Sequence, residues 1–325
     1  MTPLGCFLAL AAAIALLVKP SDTGDLPFFI HTSKKLFSAD WANVFANPDV
    51  QVGPLQLLLF RVGDLAGILP LLVQLGVAAL IWVVAGRLLA GRDPRAQFVV
   101  ALAALALGLT YGAYQDGHPA QVIAPLLWVL AGLEARKGRT LWAGALIGFS
   151  AGFELWGLLG AVVFVLAPRA RAAAAGLATE GLVAAVLFLP FVIAGEFHMF
   201  DYRWVVNGDT LLSLVVDPGT RFTWPMRVLQ GGLALAAGAG LAWPLRRTLH
   251  AVWLAPLGTV AVRLALDPVR YPWYWLAPET LALLAAAEFL TSPAVEPLRV
   301  RVQGSGRTWR SPSPRSRSGR RSRES

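Results

Sequence analysis

Two aspartates, Asp22 and Asp25, follow directly on a wholly apolar stretch over residues 3–18, and Gly24 between them lets the backbone turn sharply. Carboxylates in that place have three physical uses. Either can cap a helix that starts just after it, either can act as a general base toward a hydroxyl, and together they offer hard oxygen ligands to a divalent cation. Nothing in the sequence requires that cation, and no other cofactor is implied. Further along stand His118, in a Gly-His-Pro turn, and Glu154, the lone charged residue in the apolar stretch 140–168. The histidines at 31, 118 and 198 lack the short spacing of a zinc site, and the single cysteine, Cys6, excludes an intrachain disulfide and a Cys-based metal centre. Walker, GxSxG and HExxH motifs are missing, so ATP hydrolysis and soluble-type nucleophilic catalysis have no support.

Two later stretches combine acids with aromatic rings. Residues 195–225 contain FHMFDYRW, and residues 267–275 read DPVRYPWYW, which includes Arg270, Tyr271 and Trp273. Such rings can form a belt at headgroup depth, or a groove where sugar faces stack while acids hold hydroxyls.

What must position these residues is a bilayer frame. Hydrophobic residues make up 56% of the chain, charged residues 14%, and mean hydropathy is +0.60, which excludes an ordinary soluble domain. Apolar segments fall near 3–18, 65–85, 96–113, 119–133, 141–153, 155–167, 173–194, 226–245, 251–266 and 276–291. The expectation is an all-α polytopic membrane protein with about ten transmembrane or half-depth helices over residues 1–291. Basic residues mark alternate loops: Arg87, Arg92 and Arg95; Arg136, Lys137 and Arg139; Arg169 and Arg171; Arg246 and Arg247; then the C-terminal stretch. The positive-inside rule puts these on the cytoplasmic side with both termini, provided 141–167 is split at Glu154. The outer face then comprises residues 19–64, 114–118, the Glu154 turn, 195–225 and 267–275, and most of the 19 acids gather there.

The formal charge of +9 comes chiefly from the tail, where nine Arg stand against one Glu from Arg299 onward. Residues 292–325 are therefore expected to be a basic, disordered cytoplasmic tail that touches anionic lipid, with no nucleic acid as partner. Residues 3–18 carry no preceding basic residue and no small-x-small cleavage pattern, so a retained first span is expected. Arg outnumbers Lys 24 to 4 in an Ala-, Gly- and Leu-rich chain, as is common where genomes are GC-rich, and a bacterial plasma membrane is the expected home.

Within the first outer loop, Leu26, Phe29, Ile30, Leu36, Phe37, Trp41 and Phe45 approximate helical spacing with Lys34 and Lys35 opposite, which predicts an amphipathic surface helix. A short first span, an acid-bearing outer loop with a surface helix, and a proline-containing return into the membrane at Gly53-Pro54-Leu55 together resemble the GT-C glycosyltransferases. YQDGHPAQVIAPLLWVLAG and GRTLWAGALIGFSAGFELWGLLGAVVFVLAP are similar in kind, and the nearest likeness is to bacterial polyprenol-phosphate-mannose-dependent mannosyltransferases. That resemblance implies sugar transfer, mannose foremost, from a polyprenyl-phosphate donor to a lipid, glycan or protein acceptor on the outer face. It makes Asp25 the catalytic residue with Asp22 as second choice, and puts His118 and Glu154 in the same cavity. Many relatives carry Lys where this chain has Glu154, so the positive charge for a donor phosphate must come from elsewhere: Arg203, Arg221 or Arg270 in the outer loops, or Arg263 inside a span. Arg263 can equally form a structural ion pair with Asp267 or Glu279.

Two other classes stay open. A transporter or lipid flippase would use polar groups at mid-depth, for which Gln74, Glu180, Gln230 and Arg263 are the candidates. A non-catalytic, degenerate relative would fit Glu154 in place of Lys.

Overall fold

The computed structural model describes residues 2–18, 24–202 and 204–292. The chain divides into a unit over 1–292 and one over 293–325; the basic tail lies outside the described residues.

Regular structure among the described residues is helical apart from two isolated β-bridges. Helix α1 (Pro3–Leu17) leads to α2 (Leu26–Ser33), α3 (Pro54–Leu65), α4 (Leu69–Leu88), α5 (Pro94–Ala106) and α6 (Leu109–Gln115). Next come α7 (Ala120–Arg136), α8 (Thr140–Ala151), a 3-10 helix (Leu155–Leu166), α9 (Ala170–Ala194), α10 (Trp224–Ala242), α11 (Ala251–Ala265) and α12 (Leu276–Thr291). Among the described residues four helical stretches can cross a membrane by length and composition: Leu69–Leu88, Pro94–Gln115, Ala170–Ala194 and Trp224–Leu245. Shorter apolar helices occupy Pro3–Leu17, Thr140–Ala151, Leu155–Leu166 and Ala251–Ala265.

The central element is α7, whose Trp128, Leu126 and Val129 are fully enclosed by α4, α8, α11, α12 and the 3-10 helix. At the periphery the pattern inverts. Only 22% of the apolar window of α9 is buried, and Leu182, Val186 and Ile193 stand 64%, 64% and 75% exposed. Apolar side chains turned outward along a 25-residue helix are what a lipid solvent calls for. The chain is a membrane all-α protein.

The expected split near Glu154 is present. Helix α8 stops at Ala151, Glu154 is extended at φ −146°, ψ 140°, and the chain resumes as a 12-residue 3-10 helix. Runs this long are uncommon in 3-10 form, and at ~2.0 Å rise per residue twelve residues reach ~24 Å where an α-helix reaches ~18 Å. The exposed backbone of the break is satisfied by the start of α3 and the residues just before it: Gly53 N–H donates to Phe153 O and Leu55 N–H to Gly152 O, beside a Val52–Glu154 bridge. Gly53 is required there, since a Cβ would lie 2.3 Å from Gly152 O.

The surface helix differs from expectation. Instead of one helix over 26–45, α2 ends at Ser33 and two 3-10 turns follow, Lys34–Phe37 and Trp41–Phe45. The physical reason lies between them, where Asp40 N–H donates to Ser38 Oγ and Asn43 Nδ2 donates to Asp40 Oδ1, local bonds that compete with helix continuation.

The loops sort into two ends. Asp25 N–H donates to Asp116 O, His198 N–H to Phe45 O, Gln51 Nε2 to Met199 O and Asn207 N–H to Pro268 O, joining the acid- and aromatic-bearing loops. Elsewhere Arg136 donates to Arg247 O and Arg92 to Thr291 O, joining basic loops to each other and to the end of α12.

Candidate functional site

At the acidic end a cavity of about 530 Å³ opens between α2, the 3-10 helix, α10, α11 and the loops 195–223 and 267–275. Three residues far apart in sequence meet on its wall. His118 donates from Nε2 to Asp25 Oδ2 at 3.0 Å and from Nδ1 to Glu154 Oε1 at 2.9 Å.

Backbone geometry creates this meeting. Gly117 has φ +80°, and a Cβ there would lie 2.8 Å from Leu26 N and Cα, so glycine alone lets the turn before α7 approach the start of α2. Gln56 of α3 fastens the same turn by donating to Gly117 O at 2.7 Å. Asp25 occupies the N-cap position of α2, yet its side chain makes no capping bond. Its carboxylate faces His118 instead and stays 48% exposed, while His118 and Glu154 side chains are only 11% and 9% exposed.

Burial pushes the His118 imidazole down, but hydrogen bonds to Asp25 and Glu154, and the charges of both, outweigh it and hold the group at about 9. At neutral pH it is an imidazolium donating from both nitrogens. Trp273 stacks on it at 4.7 Å and 9° between planes, Tyr271 stacks on Trp273 at 4.5 Å and 5°, and Phe29 meets its edge at 5.3 Å. The cation thus rests on an aromatic pile. Glu154 is held in turn by Gln121 Nε2 at 2.9 Å and by the Trp156 indole N–H at 2.5 Å.

A second charged group lines the same cavity. Arg227, in the first turns of α10, and Arg263, in α11, lie 4.0 and 3.8 Å from Asp267 Oδ2, a carboxylate only 1% exposed. Burial raises the Asp267 carboxyl above the usual range, against the pull of Arg263 and Arg227. Trp156 connects the two groups, since its ring carries the Arg263 guanidinium at 4.5 Å while its N–H serves Glu154.

Of the residues singled out from sequence, Asp25, His118, Glu154, Tyr271, Trp273, Gln230 and Arg263 come together on this wall. Arg263 pairs with Asp267, whereas Glu279 stands exposed at the start of α12. Arg270 is exposed, 5.9 Å over the Trp275 ring and away from the cavity, and Arg221 is exposed at its bridge to Val205. Asp22 and Arg203 lie outside the described residues. Among the described residues no cluster of three or more His, Cys, Asp or Glu is arranged to hold a metal ion, and the cation pair suggested for Asp22 and Asp25 involves a residue outside them.

Sequence reasoning missed Arg227, Gln121 and Trp156. Gln121 follows His118 at i+3, and Trp156 follows Glu154 at i+2 in a chain with few other polar groups at that depth; both spacings were available signals. Arg227 had none.

Chemically, the cavity offers a half-exposed carboxylate beside a fixed imidazolium, stacked aromatic faces, and two guanidiniums. Comparison with protein families, with curated proteins and with solved structures found no match to this chain.

Proposed function

We propose that this chain is a membrane glycosyltransferase that moves a sugar from a polyprenyl phosphate to a hydroxyl of a lipid, glycan or protein acceptor at the acidic end of the bundle. Support comes from one constellation: Asp25, half-exposed in an aromatic-lined cavity, held by an imidazolium that Glu154 anchors from behind. The sugar, mannose, and the polyprenyl donor come from the GT-C resemblance, the roughly ten crossings from the apolar segments, and the bacterial plasma membrane from the Arg-over-Lys, Ala-, Gly- and Leu-rich composition.

In this scheme Asp25 takes the proton of the acceptor hydroxyl as its oxygen bonds to the anomeric carbon. The bond from that carbon to the phosphate oxygen breaks, and the polyprenyl phosphate leaves with its electron pair. The phosphate is already a competent leaving group, so no unusual basicity is asked of Asp25. His118 touches Asp25 and orients it; Glu154, Gln121 and Trp156 act through His118 as positioning residues. The stacked Trp273 and Tyr271 present an apolar edge suited to a pyranose face.

Purified protein in nanodiscs, given radiolabelled polyprenyl-phosphate-mannose and a bacterial lipid extract as acceptor, should release free polyprenyl phosphate and label a product. Donor binding without turnover would instead identify a non-catalytic relative. The transport alternative has its own motive: Gln74 is fully buried in α4 with neither amide atom bonded, and Glu180 Oε2 is unbonded in α9. Those two residues do not line the cavity, whereas the other two transport candidates, Gln230 and Arg263, do. Lipid-linked sugar crossing proteoliposomes at wild-type rate in a Gln74→Leu, Glu180→Leu variant would remove that motive.

A further inference from the structure

We infer that Arg227 and Arg263 form an anion subsite for a phosphate ester borne on an isoprenoid chain, with Asp267 as the resident counter-ion that such a ligand displaces. The inference rests on the donor class proposed above and assigns that donor's charged group to named residues.

The two guanidiniums face a single buried carboxylate at distances too long for good hydrogen bonds. Asp267 Oδ2 and Arg263 Nη1 are both buried without any hydrogen-bond partner, although Arg263 is only 6% exposed. Native interiors seldom leave a guanidinium N–H unpaired, because its desolvation is then uncompensated. Two cations, one anion at long range and an unused donor together suit a stronger acceptor than Asp267.

The pair is also built to stay in place. Tyr202, Trp204 and Phe222 surround the Arg227 guanidinium at 5.0–5.1 Å, and Tyr202 accepts from its Nε at 3.0 Å. Arg263 lies over Trp156 at 4.5 Å and Tyr274 at 5.1 Å. Gln230 couples the two, accepting from Arg227 Nη1 at 3.2 Å and donating to Arg263 O at 2.9 Å. Ring faces fix each fork while leaving its edge for a tetrahedral oxyanion, which accepts from guanidinium forks in bidentate fashion. Leu155, Leu158 and Leu159 of the 3-10 helix and Gly231 of α10 line the same cavity, an apolar border for a hydrocarbon chain attached to that anion.

The test uses full-length protein in detergent, with binding read from intrinsic tryptophan fluorescence. Its probes are farnesyl phosphate, farnesol and inorganic phosphate. Farnesyl phosphate should bind at least about tenfold more tightly than either other probe, and Arg263→Gln and Arg227→Gln should each remove about tenfold or more of that affinity while farnesol binding stays. Asp267→Asn should tighten farnesyl phosphate binding. Should Arg263→Gln lower folding yield, Arg263→Lys and the more exposed Arg227→Gln carry the comparison. Equal affinity for farnesol, or unchanged affinity in the arginine variants, overturns the subsite; equal affinity for inorganic phosphate overturns the lipid-borne ligand. Wild-type protein that binds farnesyl phosphate in this arginine-dependent way yet transfers no sugar leaves the subsite standing and removes the glycosyltransferase.

Discussion

His118 sets the charge of the candidate site. Its folded value of about 9 lies above the ordinary 6.5, so the stability it contributes is fully present below about pH 6.5 and is lost as the pH rises through 9. Thermal unfolding in detergent should show a Tm lower by at least about 3 °C at pH 10 than at pH 7, and His118→Gln should flatten that part of the profile. Superimposable profiles for the two proteins would contradict the imidazolium. Truncation is expected to be harsher: His118→Ala strands the buried Glu154 carboxylate and should cost about 3 kcal/mol in a denaturation measurement. At this scale the sequence led to Asp25, His118, Glu154, Tyr271 and Trp273 because each lies in a loop or break that interrupts apolar runs, where a polar residue stands out. Arg227 was not legible, since an arginine one turn into α10 looks like any interfacial cation. Its pairing with Asp267 crosses 40 residues without periodicity, and only packing reveals it.

The elements act by bringing backbones unusually close. Gly53 against Gly152 and Gly117 against Leu26 are the two approaches that bring Glu154 and His118 to Asp25. Gly117→Ala introduces a side chain at φ +80° facing backbone atoms 2.8 Å away, and should destabilise by about 1–3 kcal/mol. The same variant should lose sugar transfer beyond what its lowered Tm explains, because the turn can relieve the clash only by moving His118 from Asp25; full activity at a temperature where it is folded would count against this placement. Hydropathy located most elements to within a few residues, including the break at Glu154, since apolar run length is a direct physical requirement of a bilayer. It could not show that the surface helix bends at Ser38–Asp40, where side-chain bonds decide, nor that Leu155–Leu166 winds as a 3-10 helix, because an apolar run reads alike in either form.

Across the described residues, basic and acidic loops gather at separate ends of an all-α bundle. Which end faces the cytoplasm follows from the positive-inside rule and is directly testable. After Cys6→Ser, single cysteines at Ser213 and Lys137 should react oppositely with an impermeant maleimide added to intact cells: the first labelled, the second protected until the membrane is opened. The reverse pattern would turn the cavity toward the cytoplasm and require a donor on that side. Besides the 19-residue α10, the elements around the cavity are short, with 8 residues in α2, 12 in the 3-10 helix and 15 in α11, which suits the approach of a lipid-anchored phosphate to Arg263 from the membrane. The proposed role of Asp25, proton transfer in that cavity, is tested most directly by donor turnover of Asp25→Asn protein in nanodiscs. Turnover should fall at least about 100-fold while farnesyl phosphate affinity and Tm stay near wild type; turnover that persists at the wild-type rate would contradict it.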